Sequence, residues 1–262
     1  MFQVMSRPTI WPGRLAAALV LVLVLTPRPS AAGARPEIVD AADYDAFWLW
    51  AGVTPQPVLA QARSLYILQG QIAAPRSGKG PAVLIAQGGA IPRLRRGEAW
   101  IVYRAHTLDW TPRIYDQILT RISRWRQAGD PVAGVQIDFD ARTRHLDKYG
   151  AFLRDLRARL PAYCRLSITG LLDWSSQGDP AALDALAGVV DEVVLQTYQG
   201  HRTIPGYDAY LDRLGRLKVP FKIGLVQGGE WRAPAALAAN PRFRGYVVFL
   251  RNPPPGAPRP PL

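Results

Sequence analysis

The sequence predicts an α/β protein that folds as a single (β/α)8 barrel of the TIM type. Short β-rich segments alternate with amphipathic segments rich in Ala, Leu and Arg, a pattern typical of parallel strands covered by helices. About eight such strands in about 215 residues favour a closed barrel over an open doubly wound sheet. No glycine-rich GxGxxG turn follows the first strand, which argues against a dinucleotide-binding sheet.

The elements follow one another in a simple order. Strands are predicted at residues 46–50, 64–72, 99–105, 132–140, 165–171, 191–198, 220–227 and 245–250, with a weaker candidate at 82–86. Helices are predicted at 111–129, 144–160, 179–188, 206–217 and 233–240. The first helix has Thr111 as its N-cap and Pro112 in its first turn, and it ends at Gly129.

Both ends of the chain are expected to lie outside the barrel. An apolar run of 11 residues, Leu15 to Leu25, follows two arginines, and Ala32, Gly33 and Ala34 fit the small-residue cleavage pattern of a signal peptide. A run of this length is too short to span a bilayer. We therefore predict a cleaved signal peptide at 1–34, a barrel domain at 35–251 and a proline-rich disordered tail at 252–262. The expected location is the periplasm or the exterior of the cell.

Charge and cysteine content narrow the function classes. Removing the three arginines of the leader from 32 basic residues leaves 29 against 20 acidic residues, a net charge of +9. The arginines are spread over predicted helix faces, so we interpret them as solvated surface and expect no nucleic-acid partner and no stable membrane insertion. Cys164 is the only cysteine and is interpreted as a small buried residue. Without CxxC or HExxH spacing, no metal or other cofactor is predicted, and we expect a monomer.

The segment "GVQIDFDA" (134–141) carries the strongest functional signal. Its alternation places residues 135, 137 and 139 on one face of a strand and Gln136, Asp138 and Asp140 on the other. The polar face is expected to point into the barrel, with Asp140 at the carboxyl end, where barrel enzymes place their active sites. Two carboxyl groups with Cα atoms about 7 Å apart have coupled titrations, so one can donate a proton while the other stabilises positive charge. This division of roles is the chemistry of glycosidic bond cleavage.

Other strand ends carry aromatic, amide and charged side chains. With Gln136, the residues assigned to substrate binding are Trp50, Arg104, Asp173, Trp174, Gln196, Tyr198, Gln227, Glu230 and Trp231. Aromatic faces pack against sugar C–H bonds, while amides and carboxylates bind hydroxyls. Alternatives remain for three of them: Asp173 and Glu230 either supply a second carboxylate or cap the next helix, and Arg104 either clamps an anionic sugar or pairs with Asp138 or Asp140.

Two resemblances rest on these motifs. The segment "AGVQIDFDA" resembles the DGxDxDxE strand of family 18 glycoside hydrolases, the chitinase group, and "LQTYQG" resembles their M-x-Y-D strand. The chain as a whole resembles a family of exported bacterial barrel proteins known as domain of unknown function 3142. The marks of that family are "FWLWAG", "VQIDFDARTRHLDKYGAFLRDLRARLP", "LSITGLLDW" and "DEVVLQTYQG". This second resemblance covers nearly the whole chain after the leader and implies no established activity.

The family 18 resemblance implies a role for each matched residue. Asp140 would be the general acid, Asp138 the aspartate that orients an acetamido group of the substrate, and Tyr198 a hydrogen-bond partner of that group. The sequence departs from the pattern because the acid of the family is glutamate, its first aspartate is Gln136 here, and Gln199 replaces the aspartate after the tyrosine. The hypothesis is a glycoside hydrolase-like protein that acts on a cell-envelope or extracellular polysaccharide. The alternative is a non-catalytic carbohydrate-binding or envelope-assembly barrel that has lost the glutamate.

Overall fold

Eight parallel strands pair in chain order around a closed barrel. They are β1 (Ala46–Leu49), β2 (Ser64–Ala73), β3 (Glu98–Ala105), β4 (Val132–Asp138), β5 (Arg165–Leu171), β6 (Glu192–Gln196), β7 (Phe221–Val226) and β8 (Phe243–Phe249). Pairing of β1 with both β2 and β8 closes the ring. The predicted fold class, a (β/α)8 barrel, is therefore confirmed.

The structure is a computed structural model that describes residues 36–75, 80–88, 97–141, 145–174 and 178–253. The leader predicted at 1–34 lies outside the described residues, as does the predicted tail after Pro253. Within the described ranges, no helix is both long enough and apolar enough to cross a membrane.

Helices cover the outside of the barrel between the later strands. They are α1 (Pro112–Gln127), α2 (Leu146–Arg159), α3 (Pro180–Asp184), α4 (Tyr207–Leu211) and α5 (Ala235–Ala239), with 3-10 turns at Ala41–Asp43, Pro57–Gln61 and Leu214–Arg216. Helix α1 begins after Thr111, as predicted, and buries an apolar stripe with i, i+4 spacing, Ile114, Ile118 and Ile122. The chain leaves α1 through Gly129, whose φ of +86° requires a residue without a Cβ.

Three predicted elements differ from the structure. Residues Val83–Ala86 do form a strand, but it pairs antiparallel with the carboxyl-terminal end of β2, residues 70–73. This strand is not part of the barrel ring. The strand predicted at 191–198 ends at Gln196. Both the backbone N–H and the hydroxyl of the next residue, Thr197, donate to the carbonyl of Gly224. Beyond it, Tyr198–Gln199 pairs with Arg202–Thr203 in a small hairpin. The helix predicted at 206–217 is divided into α4 and a 3-10 turn.

A chain of buried polar side chains runs through the inside of the barrel. Trp48 Nε1 donates to Gln136 Oε1 (2.6 Å), Gln136 Nε2 donates to Ser167 Oγ (2.9 Å), and Ser167 Oγ donates to Glu192 Oε1 (3.1 Å). Glu192 also accepts from the hydroxyl of Tyr66 (2.7 Å) and pairs with Lys222 Nζ (3.0 Å). We call these six residues, Trp48, Tyr66, Gln136, Ser167, Glu192 and Lys222, the polar spine.

The polar spine depends on Lys222 to neutralise a carboxylate that water hardly reaches. Replacing Lys222 with Ala leaves the charge of Glu192, whose side chain is 10% exposed, without its cation. We expect Lys222→Ala to lower the free energy of unfolding by about 3 to 5 kcal/mol, measured by denaturant titration.

The matched control is Lys218→Ala, which removes an ion pair with Asp184 in which the lysine is 58% exposed. Its expected effect is less than about 1 kcal/mol, because an exposed pair is screened by water. Equal effects of the two substitutions would contradict a stabilising role for the Lys222–Glu192 pair.

Candidate functional site

A cavity of about 540 Å³ opens at the carboxyl ends of the barrel strands. Six of the residues predicted from the sequence line it: Trp50, Arg104, Asp140, Asp173, Gln196 and Tyr198. They come from five separate parts of the chain, which only the closing of the barrel brings together. This position agrees with the general location of active sites in (β/α)8 barrels.

Two carboxylates and one guanidinium form the charged centre of the cavity. Arg104 Nη1 donates to Asp138 Oδ2 at 2.8 Å, and its Nη2 donates to Asp140 Oδ2 at 2.9 Å. Asp138 is almost fully buried, whereas the side chain of Asp140 is 56% exposed and lines the cavity. Of the two predicted roles for Arg104, the structure shows the one in which it pairs with both aspartates. We call Arg104, Asp138 and Asp140 the charged triad.

Asp138 is held from the neighbouring strand as well. Thr169 on β5 donates its hydroxyl to Asp138 Oδ1 at 2.9 Å. Burial raises the pKa of Asp138, while the Arg104 guanidinium and the Thr169 hydroxyl oppose this shift by favouring the charged form. The balance leaves the pKa above its ordinary value, so the folded protein disfavours the ionised form of this carboxyl relative to water.

Aromatic side chains form much of the cavity wall. Trp50 packs edge-on against Phe249 with ring centroids 5.6 Å apart, and Tyr198 packs against the other side of Phe249 at 5.7 Å. The Arg104 guanidinium lies 5.6 Å from the centroid of the Trp50 ring. Burial and the nearby Asp138 raise the pKa of the Tyr198 hydroxyl well above its ordinary value, so it remains a neutral hydrogen-bonding group. Such a wall of flat faces with a few polar groups is typical of a carbohydrate site.

Asp173 lies on the same cavity, in the loop that follows β5. Burial raises the pKa of its carboxyl above the ordinary range. Asp173 is therefore, with Asp140, one of two acids among the residues that line the cavity.

Five residues assigned to substrate binding do not line this cavity, and four of them are held by partners inside the protein. Gln136 is completely buried beneath it in the polar spine, and Trp174 is 2% exposed, with its Nε1 bonded to the carbonyl of Ala141 at 2.9 Å. Gln227 bonds to the side-chain amide of Gln56 (2.9 Å). Trp231 is buried by stacking on Tyr207, with 4.7 Å between ring centroids. In each case an internal partner holds the group that was expected to meet a ligand.

Glu230 is exposed but lies elsewhere. It lines a second cavity of about 350 Å³, together with Thr203, Tyr207 and Arg232. Glu230 belongs to a short strand that pairs with Glu37–Ile38. It is therefore separate from the charged triad and does not act as a helix cap.

The sequence analysis missed several residues of the main cavity, among them Leu171, Ile204, Tyr210 and Phe249. Phe249 had a usable signal, because it ends a predicted strand on the face that points into the barrel. Tyr210 and Ile204 had none, since the fold of a loop and a short helix brings them to the cavity.

Three further polar or sulfur-bearing side chains, Gln69, His106 and Cys164, are not among the residues that line the cavity. Gln69 faces outward and accepts from Arg121 Nη1 on α1 at 2.6 Å. His106 is exposed and bonds to Gln71. Cys164 is buried, and burial raises the pKa of its thiol to about 11, which agrees with the prediction of a small buried residue. Among the residues that the structure describes, no cluster of three or more His, Cys, Asp or Glu side chains fits a metal ion.

Residues 105–217 match the family model described as domain of unknown function (DUF3142). The resemblance predicted from the sequence is thereby confirmed over this stretch, which is shorter than expected and leaves out the "FWLWAG" segment. No curated protein matches the chain.

Solved structures with similar folds include three that share little sequence with this chain. The chitinase domain of the spore coat protein CotE from Clostridium difficile has a TM-score of 0.46 and 14% identity, over 72% of this chain and 66% of that one. The spore cortex-lytic enzyme SleL from Bacillus cereus has a TM-score of 0.46 and 17% identity, over 79% and 57%. Concanavalin B has a TM-score of 0.44 and 11% identity, over 80% and 94%. The chain thus spans less than two thirds of the first two.

The raised pKa of Asp138 has a consequence for stability. The folded state binds the proton of this carboxyl more tightly than the unfolded state, so its ionisation destabilises the fold at pH values above its folded pKa. We expect Asp138→Asn, which removes that ionisation, to raise the denaturation midpoint at pH 7. The gain should shrink as the pH falls through the folded pKa and disappear below the unfolded value of about 3.9, where both states are protonated.

Denaturant titrations of the wild type and Asp138→Asn at a series of pH values test this expectation. A midpoint that falls at pH 7 in the variant would mean that Arg104 and Thr169 more than offset the burial of the charge.

Proposed function

We propose that the protein is a glycoside hydrolase that acts on a cell-envelope or extracellular polysaccharide. The observation that carries the proposal is the pair Asp138 and Asp140 at the base of an aromatic cavity, on the strand that resembles the catalytic strand of family 18 glycoside hydrolases. Cleavage of a glycosidic bond needs a carboxylic acid to protonate the leaving oxygen and negative charge to stabilise the developing positive charge on the sugar. Water supplies the hydroxyl that finally replaces the leaving group at the anomeric carbon, and its remaining proton restores the acid.

Asp140 is the proton donor in this account. It is the more exposed member of the pair and faces the cavity, where a glycosidic oxygen can reach it. Asp138, buried behind it, supplies the fixed negative charge, since a carboxylate in a site that excludes water interacts strongly with developing positive charge. Trp50 and Phe249 stack on the sugar, and Gln196 and Tyr198 bind its polar groups.

A specific observation favours a second candidate, a carbohydrate-binding barrel without catalysis. The Asp140 carboxylate already has a partner in the cavity, because the Arg104 guanidinium donates to it at 2.9 Å. In a binding protein, Arg104 and Asp140 would form hydrogen bonds with the sugar and take no part in breaking a bond. The two candidates share the cavity and the ligand class and differ only in whether a bond is broken.

Export is part of the proposal, because the substrate lies outside the cytoplasm. The residues around Ala32 to Ala34 supply the cleavage pattern. We expect N-terminal sequencing of the protein recovered from a secreting host to begin at Arg35. Recovery of an intact N-terminus from the cytoplasm alone would contradict export.

The test of activity is release of products from a panel of N-acetylated, deacetylated and uronic-acid polysaccharides. We expect at least one member to be cleaved, and Asp140→Asn to reduce the rate by at least about a hundredfold because the amide cannot donate a carboxylic proton. The matched control is Asp155→Asn, which makes the same chemical change in an exposed ion pair on α2 and should leave the rate unchanged.

The outcome separates the two candidates. No cleavage across the panel, together with polysaccharide binding that Asp140→Asn leaves intact, would exclude the hydrolase and support the binding protein. Trp50→Ala should weaken binding about tenfold under either candidate, because a stacking face is lost.

A further inference from the structure

We propose that Arg104 is a positioning residue of the site: its guanidinium favours the charged form of Asp138 against the effect of burial and holds Asp138 and Asp140 in a fixed arrangement. This inference rests on the proposed function for its catalytic consequence but not for its electrostatic one. A residue on β3 thus acts on two acids of a neighbouring segment, Asp138 at the end of β4 and Asp140 two residues beyond it.

The Asp138 carboxyl group is buried inside the barrel. The side chain is 1% exposed, and a carboxyl group removed from water in this way tends to keep its proton. A second side-chain donor, the Thr169 hydroxyl, carries no formal charge. The cation that opposes the burial is Arg104, at 2.8 Å.

The groups around Asp138 come from several elements. Arg104 on β3 and Thr169 on β5 favour its charged form, whereas Asp140 on its own chain segment opposes it. The hydroxyls of Tyr149 on α2 and Tyr198 beyond β6 also lie within electrostatic range of Asp138. Of these groups, Arg104 alone is positively charged.

The Arg104 guanidinium has a shape that allows it to bind both aspartates at once. It is a planar fork, and its two terminal nitrogens each hold one aspartate, at 2.8 and 2.9 Å. The Trp50 ring packs beside it and fixes one side of the fork. An ammonium group is a point charge and cannot reproduce both contacts with the same orientation.

Gln136, the inward-facing residue two positions before Asp138 on β4, already has other hydrogen-bond partners. Gln136 accepts from Trp48 at 2.6 Å and donates to Ser167 at 2.9 Å. It is therefore bound into the polar spine below and is not arranged to position the carboxylates. Arg104 positions the two carboxylates instead. It lies on the neighbouring strand β3, directly opposite Asp138 in the strand register.

The experiment follows the Asp138 carboxyl carbon by NMR during a pH titration of the folded protein. Arg104→Gln removes the charge, so we expect Asp138 to titrate at higher pH than in the wild type. Arg104→Lys keeps the charge and should return the titration toward the wild-type position. Arg159→Gln, in an exposed ion pair on α2, is the matched control and should not move it.

Activity provides the second readout if a cleaved polysaccharide is found. We expect Arg104→Gln to lower kcat about a hundredfold at neutral pH and to move the acidic limb of its pH profile upward, with KM changed by less than about threefold. Arg104→Lys should recover the position of that limb but not the full kcat, because the fork is lost.

The two proposals fail separately. An Asp138 titration that is the same in the wild type and in folded Arg104→Gln would overturn the role of Arg104, whatever the activity. A shifted titration in a protein that cleaves no polysaccharide would retain the electrostatic role of Arg104 and reject the hydrolase. If Arg104→Gln fails to fold, Arg104→Lys decides: an unchanged kcat in that variant would contradict the positioning role.

Discussion

The exclusion of water from a closed eight-stranded barrel is the constraint on which the rest of this structure depends. Any polar side chain that points inward must find its hydrogen-bond partners among other inward side chains. The polar spine solves this problem in the lower part of the barrel. Gln136, Ser167, Glu192 and Lys222 lie on the consecutive strands β4 to β7 and contact one another in that order. Trp48 and Tyr66 reach this row from β1 and β2. The charged triad solves it again at the mouth, with Arg104 serving two aspartates at once.

The same strand takes part in both solutions. On β4, Gln136 belongs to the polar spine and Asp138 to the charged triad, and Asp140 follows where the strand has ended and the cavity begins. The first of these residues therefore belongs to a buried hydrogen-bond network, and the last is accessible to a ligand in the cavity. The exposure of the side chains follows this order, from none at Gln136 to more than half at Asp140. A site that takes its rigidity from the barrel is thus directly connected to the packing below it.

The sequence predicted which strand side chains point into the barrel, but not how far each lies below the cavity. Alternation along residues 134–141 correctly predicted that Gln136 and Asp138 point inward, because the side-chain period of a strand is two residues. Alternation does not say which layer of the barrel a residue occupies, so Gln136 was assigned to a ligand that it does not reach. Trp174 and Trp231 were misplaced for a related reason: aromatic residues near strand ends serve equally well as core, and only tertiary packing distinguishes the two uses. Arg104 was left open between two roles because its partners lie 34 and 36 residues away in the chain.

The most direct test of a carbohydrate site at this cavity is to titrate the 15N-labelled protein with soluble oligosaccharides and follow its tryptophan indole signals by NMR. Trp50 lines the cavity, whereas the indole N–H groups of Trp48 and Trp174 are bonded to Gln136 and to the backbone of Ala141 inside the protein. The account predicts a saturable shift of the Trp50 signal, with smaller changes at the two buried indoles. Saturable binding that leaves Trp50 unmoved would place the sugar elsewhere on the protein and contradict the account.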